Sequence, residues 1–490
     1  MAWCMDSLLE CVAKLYAVEA WLLSSPARAF YGIQAGTLLA LWLAVKAGSG
    51  VDMLRLAPQL SNVALRPSWL PRCAFLWTLR RQTYYPCAYC LIPLLFLAAA
   101  YPTKLALRFA VAMTATLFHV AESSRTTSHR DYLMVYNCWG LTLCCGQGSD
   151  SIAQALGLGF CLSYIFGSGL AKLFIGGVEW GGPGTLQAIL QTFAKKGSKE
   201  GGPILRGLNR IVSSNALLAA ACGCFTLAFE CVAAPLAFVV PMHLRIVYCY
   251  GMLVLHIGIA ALQSGAIGAF FLPCAASYVF GLHMFESSDL NVGSPGWFLA
   301  LGVFALLTLS GPLLRRRLLP EDWPLTPFAL FPWSGSQWQA LHRTFVDGNT
   351  RLVLTTDIAD PMGLRVFQLE HRACQREGQG NDGADADRPT AAYCAWNRVV
   401  GVTTLQNELL EALQPEFAAM TGKHWDASCF VSAVEGWLAR GRMVEISSGK
   451  ALARAFLVTV RDDHVDEVVC TGTPAAKQPL LHGSQHSLGA

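Results

Sequence analysis

Four ionisable side chains lie inside or beside long apolar runs, where few residue types are tolerated without a task. Lys172 falls in YIFGSGLAKLFIGGVEW, Tyr164 to Trp180, in the last turns of a run that opens near Ile152. An ammonium there either reaches the headgroups along its stem or is held away from water, where it can pair with an anion or exchange a proton. One turn earlier Gly167 and Gly169 flank Ser168, leaving backbone bare for another helix or for a flat cofactor. Glu230 stands in the interior of a later run, so its carboxyl must be protonated, paired or near water. His256 lies eight residues before Ser264, about 12 Å deep at 1.5 Å per residue. His129 precedes Arg130 and Asp131 at a helix start, where an aspartate is favoured by the helix dipole.

Each of these residues has a plainer reading. His256 suits a hydrogen-bonded core imidazole, Glu230 a partner for a neighbouring helix, and His129 an interfacial loop. Together they are what a proton-handling site within a membrane requires, with Lys172, His129 and His256 as catalytic groups. His119, Glu122, His283 and Glu286 stand near the ends of runs and read as interfacial. The string SHRDYLMVYN at 128 to 137 is not a kinase catalytic loop, because Asn137 comes one residue late and no glycine-rich loop or DFG accompanies it. HExxH, GxSxG and P-loop spacings are missing, and no Cys/His cluster has zinc spacing, so no metal is expected.

The elements that must position these groups follow from composition. Of 490 residues 54% are hydrophobic and 14% charged, which excludes an ordinary water-soluble enzyme and predicts an all-α polytopic protein of the lipid bilayer. A net charge of +4 with no basic stripe excludes nucleic acid as a partner. Apolar runs near 31–48, 84–101, 103–121, 131–146, 151–176, 211–240, 246–264, 266–286 and 297–314 predict eight or nine transmembrane helices. With nine, the clusters Arg55 to Arg81, Lys195 to Arg210 and Arg315 to Arg317 share one face, which the positive-inside rule makes cytoplasmic. The same alternation returns span five to the face where span four begins, bringing Lys172 and His129 together.

Around this transmembrane domain, 31–335, the sequence predicts an amphipathic segment over 1–30, a small soluble α+β region over 336–470 and a disordered tail over 471–490. Strands are expected at 350–359 and 363–369 and helices at 405–421 and 427–440. Glu377 to Arg388 reads as a solvated loop, since its carboxylates lack EF-hand spacing. The 18 cysteines lie mostly in apolar runs and form no framework; Cys87 and Cys90 make one CxxC, a spacing that chance alone supplies at this frequency.

The chain resembles the vitamin K-dependent γ-carboxylase family and its relatives with a horizontally transferred transmembrane domain. The resemblance is carried by HRDYL at 129 to 133, GSGLAKLF at 167 to 174 with Trp180, FECVAAPLAF at 229 to 238, LHIGIAALQSGAIGAFF at 255 to 271 and WPLTPFALFPW after the last run, together covering roughly residues 25 to 335. It implies that Lys172 is the base for the hydroxyl of a reduced quinone, with His129 assisting, and that oxygen and carbon dioxide are co-substrates. It also implies a lipid-soluble small molecule and a protein substrate as partners, an endomembrane such as the endoplasmic reticulum, and a lumenal catalytic face. Two residues separate His129 from Tyr132 where the family has one, and only about 130 residues stand where it has a large lumenal region. Carboxylation of protein glutamates is therefore not expected of this chain. A different class, a transporter or channel that relays protons or binds an anion, uses the same groups, and a structural protein recruiting a partner through its tail needs none of them.

Overall fold

The computed structural model describes residues 20–22, 24–46, 63–66, 70–123, 129–145, 150–196, 203–262, 271–282, 290–314, 336, 350–355, 427–439, 443–445, 451–461 and 464–469. They are mostly helical and divide into two compact units, Met1–Pro58 with Pro67–Gly335, and Gln59–Arg66 with Ser336–Ala490.

The first unit is built from α1 (Pro26–Lys46), α2 (Arg72–Thr78), α3 (Arg81–Ala100), α4 (Leu105–Ser123), α5 (His129–Leu143) and α6 (Asp150–Gly176). After a 3-10 turn at Val178–Gly181 come α7 (Pro183–Lys196), α8 (Pro203–Ser214), α9 (Ala216–Ala228), α10 (Met242–Leu262), α11 (Cys274–Leu282) and α12 (Pro295–Leu314). Each of the nine apolar runs contains a helix. Four helical stretches are long and apolar enough to cross a membrane: Thr83–Ala100, Asp150–Phe174, Ala216–Leu236 and Met242–Ile259. Leu105–Ala121 and Pro295–Leu309 are apolar but shorter.

Helix α6 is the axis of this unit, with most of its spanning stretch buried by protein, whereas the stretches in α3, α9 and α10 are largely open on their outer faces. Its composition allows this, because small residues recur along it. A Cβ at Gly159 would fall 2.6 Å from the Ala300 carbonyl of α12, and one at Gly157 2.6 Å from the Phe280 ring of α11. The core around it joins Tyr132, Tyr164, Tyr248 and Tyr278 with Leu158, Leu162 and Met252.

Two local signals set the helix ends that matter for the site. Asn215 caps α9 by accepting from the Leu218 N–H at 3.0 Å, as its residue type predicts. Gly177 ends α6 with φ 65°, a conformation that costs glycine little and reverses the chain into the 3-10 turn.

In the second unit β2 (Thr350–Thr355), β4 (Arg454–Arg461) and β5 (His464–Val469) form an antiparallel sheet in the order β2-β4-β5. Strand β1 (Val63–Leu65) pairs antiparallel with β3 (Met443–Glu445). Helix α13 (Ala427–Leu438) buries Phe430, Val431, Val434 and Leu438, and its Glu435 lies 2.8 Å from Arg454 Nε of β4. Among the expected elements of this region, β2 and α13 fall on described residues; 363–369, 405–421 and the loop 377–388 lie outside them, as do residues 1–19 and the tail. Strands β1, β3, β4 and β5 were not anticipated, although RAFLVTVR in β4 carries the β-branched content that favours a strand.

Candidate functional site

The site is assembled where α6 crosses the end of α9. Pro235 has no N–H for the Cys231 carbonyl one turn back, and its ring presses against that carbonyl, so an α-helix cannot continue unchanged. The chain widens instead into a π-helical segment, Phe229–Ala233, and resumes as a short α-turn at Ala234–Leu236. Tyr248 of α10 donates its hydroxyl to the Phe229 carbonyl at 3.2 Å, satisfying an acceptor that the irregular segment leaves available. Glu230 is the second residue of the widened segment and is directed at α6.

Helix α6 meets it closely because Gly169 has no side chain. A Cβ there would fall 2.5 Å from Cys231 Sγ and 2.9 Å from Glu230 Cβ. Of the two occupants the sequence allowed beside Gly169, the helix is the one found, so this glycine admits α9 and not a cofactor.

Across that contact Lys172 Nζ donates to Glu230 Oε2 at 2.7 Å and to Ser168 Oγ at 2.8 Å. The side chains of Lys172 and Glu230 are 5% and 10% exposed, so the pair is buried from both sides. Reaching headgroups along its stem would require an exposed ammonium, so that reading of Lys172 is overturned. The reversal at Gly177 brings the Trp180 ring over the ammonium, 5.4 Å from Nζ to the ring centroid, closing the pair under an aromatic face. Trp180 is itself buried, and its turn is held to α9 where Cys224 Sγ donates to the Gly181 carbonyl at 3.4 Å. Outside this cover Phe174 and Val178 are 69% and 92% exposed, an apolar rim beside the buried pair.

The remaining predicted residues are placed as follows. His256 is partly buried on α10, its Nδ1–H donating to the Met252 carbonyl at 2.8 Å. That bond leaves Nε2 of the neutral ring as acceptor, and the Tyr278 hydroxyl donates to it at 3.4 Å. Tyr248 and Tyr278 belong to one buried cluster with Met252, the residue to which His256 donates. Gly167 is buried on the same helix as Ser168 and Gly169. His129 is the first residue of α5, and its side chain lies outside the described residues. The backbone register can still be followed, since Tyr136 stacks on Phe160 and a Cβ at Gly140 would meet Leu156. Extending it sets the start of α5 level with Gly167, roughly 8 Å along the axis from Lys172 at 1.5 Å per residue.

His119 corrects the sequence reading. It is fully buried, not interfacial, with its ring 4.5 Å from that of Tyr132. The direct Lys172–Glu230 bond, the π-helical segment and the Tyr278 partner of His256 were not anticipated. Pro235, five residues after Glu230, is the signal that could have found the second of these. Among the described residues no group of three His, Cys, Asp or Glu could hold a metal ion.

No protein-family model, no curated protein and no solved structure matches this chain.

Proposed function

We propose that the protein is a multi-pass membrane enzyme, crossing the bilayer about nine times with a small α+β region beyond residue 336, that uses the Lys172–Glu230 pair to take a proton from an acidic hydroxyl of a lipid-soluble ligand. The observation that carries this reading is a buried lysine bonded at 2.7 Å to a carboxylate on a π-helical segment, beneath an aromatic ring. Irregular turns of this kind are frequent at functional sites.

The resemblance to the γ-carboxylase family makes a reduced quinone in an endomembrane the expected ligand, with oxygen and carbon dioxide as co-substrates. The residues present fit such a group: Trp180 offers a flat wall, Ser168 a hydroxyl, Lys172 a basic nitrogen, and Phe174 and Val178 an apolar approach. When bound, a quinol would supply the acidic hydroxyl and the oxygen chemistry that no side chain of this site supplies.

The chain's own part is proton transfer. As an ion pair Lys172 is an ammonium and cannot accept. Passing one proton from Nζ to Glu230 Oε2 leaves an amine and a carboxylic acid and removes two opposite charges from an apolar surrounding, which makes the neutral form accessible. The amine then takes a proton at Nζ from the ligand hydroxyl, and Ser168 Oγ, accepting from Nζ, keeps the nitrogen oriented. His256 donates from Nδ1 to the Met252 carbonyl and accepts at Nε2 from the Tyr278 phenol, so its neutral ring orients that hydroxyl. Glutamate carboxylation of protein substrates is not part of this proposal.

The test is incubation of purified full-length protein with vitamin K hydroquinone and oxygen, measuring quinone epoxide. Wild type is expected to form it and Lys172→Ala to fall to background; equal epoxide from both would remove Lys172 from the reaction. A second reading, proton transport, is favoured by one observation, the two hydrogen-bonded titratable pairs Lys172–Glu230 and Tyr278–His256 carried by α6, α10, α11 and the π-helical segment. Lys172-dependent proton flux in liposomes without epoxide formation would establish it instead.

A further inference from the structure

The first turns of helix α6, around Gln154, eighteen residues before Lys172 and thus about 27 Å away along the axis, hold a second concentration of buried polar groups. Tyr31 and Gln34 on α1 are fully enclosed, as is Gln154 on α6, and Asn137 on α5 is 1% exposed. The Tyr31 hydroxyl, both amide atoms of Gln34, Asn137 Oδ1 and Gln154 Nε2 have no hydrogen-bond partner among the described residues. An enclosed amide or hydroxyl left unpaired costs roughly 1–3 kcal/mol, so five such atoms in one region are more than a membrane bundle carries without use.

Their neighbours place them together. Phe280 of α11 is the common contact: the Phe30 ring of α1 lies 5.4 Å from it, and Gly157 of α6 packs directly on it. Gln34 is one turn beyond Phe30, and Gln154 one turn before Gly157. Asn137 donates from Nδ2 to Ser277 Oγ, one turn from Phe280, at 3.1 Å, and a Cβ at Gly157 would fall 3.1 Å from its free Oδ1. Tyr31 follows Phe30 on α1, its ring centroid 5.5 Å from that of Phe30. The Gly157 and Gly281 backbones meet so tightly that a Cβ on Gly281 would lie 2.7 Å from the Gly157 carbonyl, closing one side.

We propose that this end of the bundle is a binding site for a small uncharged molecule that both donates and accepts hydrogen bonds, an amide or a polyol. The chemistry of the lining selects that class. Two carboxamide N–H groups, two carboxamide oxygens and a phenol hydroxyl match a neutral partner with donors and acceptors in similar number. Among the described residues the ion pair adjoining it, Arg108–Asp150, is already internally neutralised, so none of them offers an anion or a cation a free counter-charge there. The site is independent of the Lys172 reading.

Full-length protein in nanodiscs is titrated with acetamide, with glycerol, and with N,N-dimethylacetamide as a probe that accepts but cannot donate, following thermal unfolding. Acetamide or glycerol is expected to raise the Tm of wild type saturably, with N,N-dimethylacetamide at least about tenfold weaker, because its missing N–H leaves carboxamide oxygens of the site unpaired. Gln34→Leu and, separately, Gln154→Leu are expected to weaken the saturable response about tenfold or more, and Lys172→Met to leave it unchanged. A response that is linear in probe and equal in wild type and both Leu variants would overturn the proposal. So would leucine variants that are more stable than wild type and respond like it, the outcome if these atoms merely hold water.

Discussion

Two ion pairs with buried cations lie toward opposite ends of helix α6, and they are built differently. Arg108 of α4 spreads its guanidinium over three acceptors, the Pro102 carbonyl, the Leu141 carbonyl at 2.6 Å and Asp150 at 3.2 Å. Its carboxylate partner is 33% exposed and sits in the first turn of α6, where the helix dipole already favours a negative charge. Every group there has a structural use, tying the α3–α4 turn and the end of α5 to the start of α6. Lys172 instead donates to one carboxylate and, within its own helix, to the Ser168 hydroxyl and at 3.5 Å to the Ser168 carbonyl; its partner is 10% exposed and stands on a helix segment distorted away from regular geometry. A guanidinium that never deprotonates holds the structural corner, while an amine that can exchange its proton occupies the distorted one. The two buried cations thus differ in residue type, in the exposure of their carboxylate partners and in backbone regularity.

The contrast can be broken first at Lys172. Lys172→Met is expected to lower hydroquinone-dependent epoxide formation by about 10²–10⁴-fold, the range general base catalysis contributes. It should also destabilise by about 3 kcal/mol, by leaving Glu230 alone. Adding Glu230→Leu should restore most of that stability in chemical unfolding without restoring activity, since the pair is then replaced by apolar groups. Arg108→Met should behave in the opposite way: roughly 3 kcal/mol of stability lost, from two stranded carbonyls and a weakened pair, with the epoxide rate per folded molecule preserved. Asp150→Leu in that background should recover little, because the carbonyls still lack their donor.

Smaller effects sharpen the same comparison. Gly177→Ala, placed at φ 65°, should cost about 1 kcal/mol and reduce activity more than stability, because the reversal carries Trp180 over the ammonium. Tyr248→Phe removes the donor to Phe229 and should cost about 1 kcal/mol in unfolding, with a larger change in the Glu230→Gln background than the two single variants add up to. Strict additivity there would show that the hydroxyl and the carboxylate do not share the π-helical segment.

Composition and periodicity alone determined that the chain is helical and apolar enough for a membrane, that its apolar runs carry helices, and which few ionisable residues stand inside them; α2, α7 and α8, on the basic stretches between runs, were not foreseen. These are local properties, because an apolar run of given length and a glycine or proline in a given place act through their own backbone and immediate solvent. Lys172 and Glu230 could be marked separately for the same reason, but their bond could not. It depends on the register between two helices that cross at Gly169, and on the π-helical segment that carries Glu230. Burial of His119 against Tyr132, and of Tyr31, Gln34, Asn137 and Gln154 on α1, α5 and α6, likewise arises from how neighbouring helices pack. Which residues face one another across such crossings is decided by how whole surfaces interlock, and no window along a single strand of sequence contains that information.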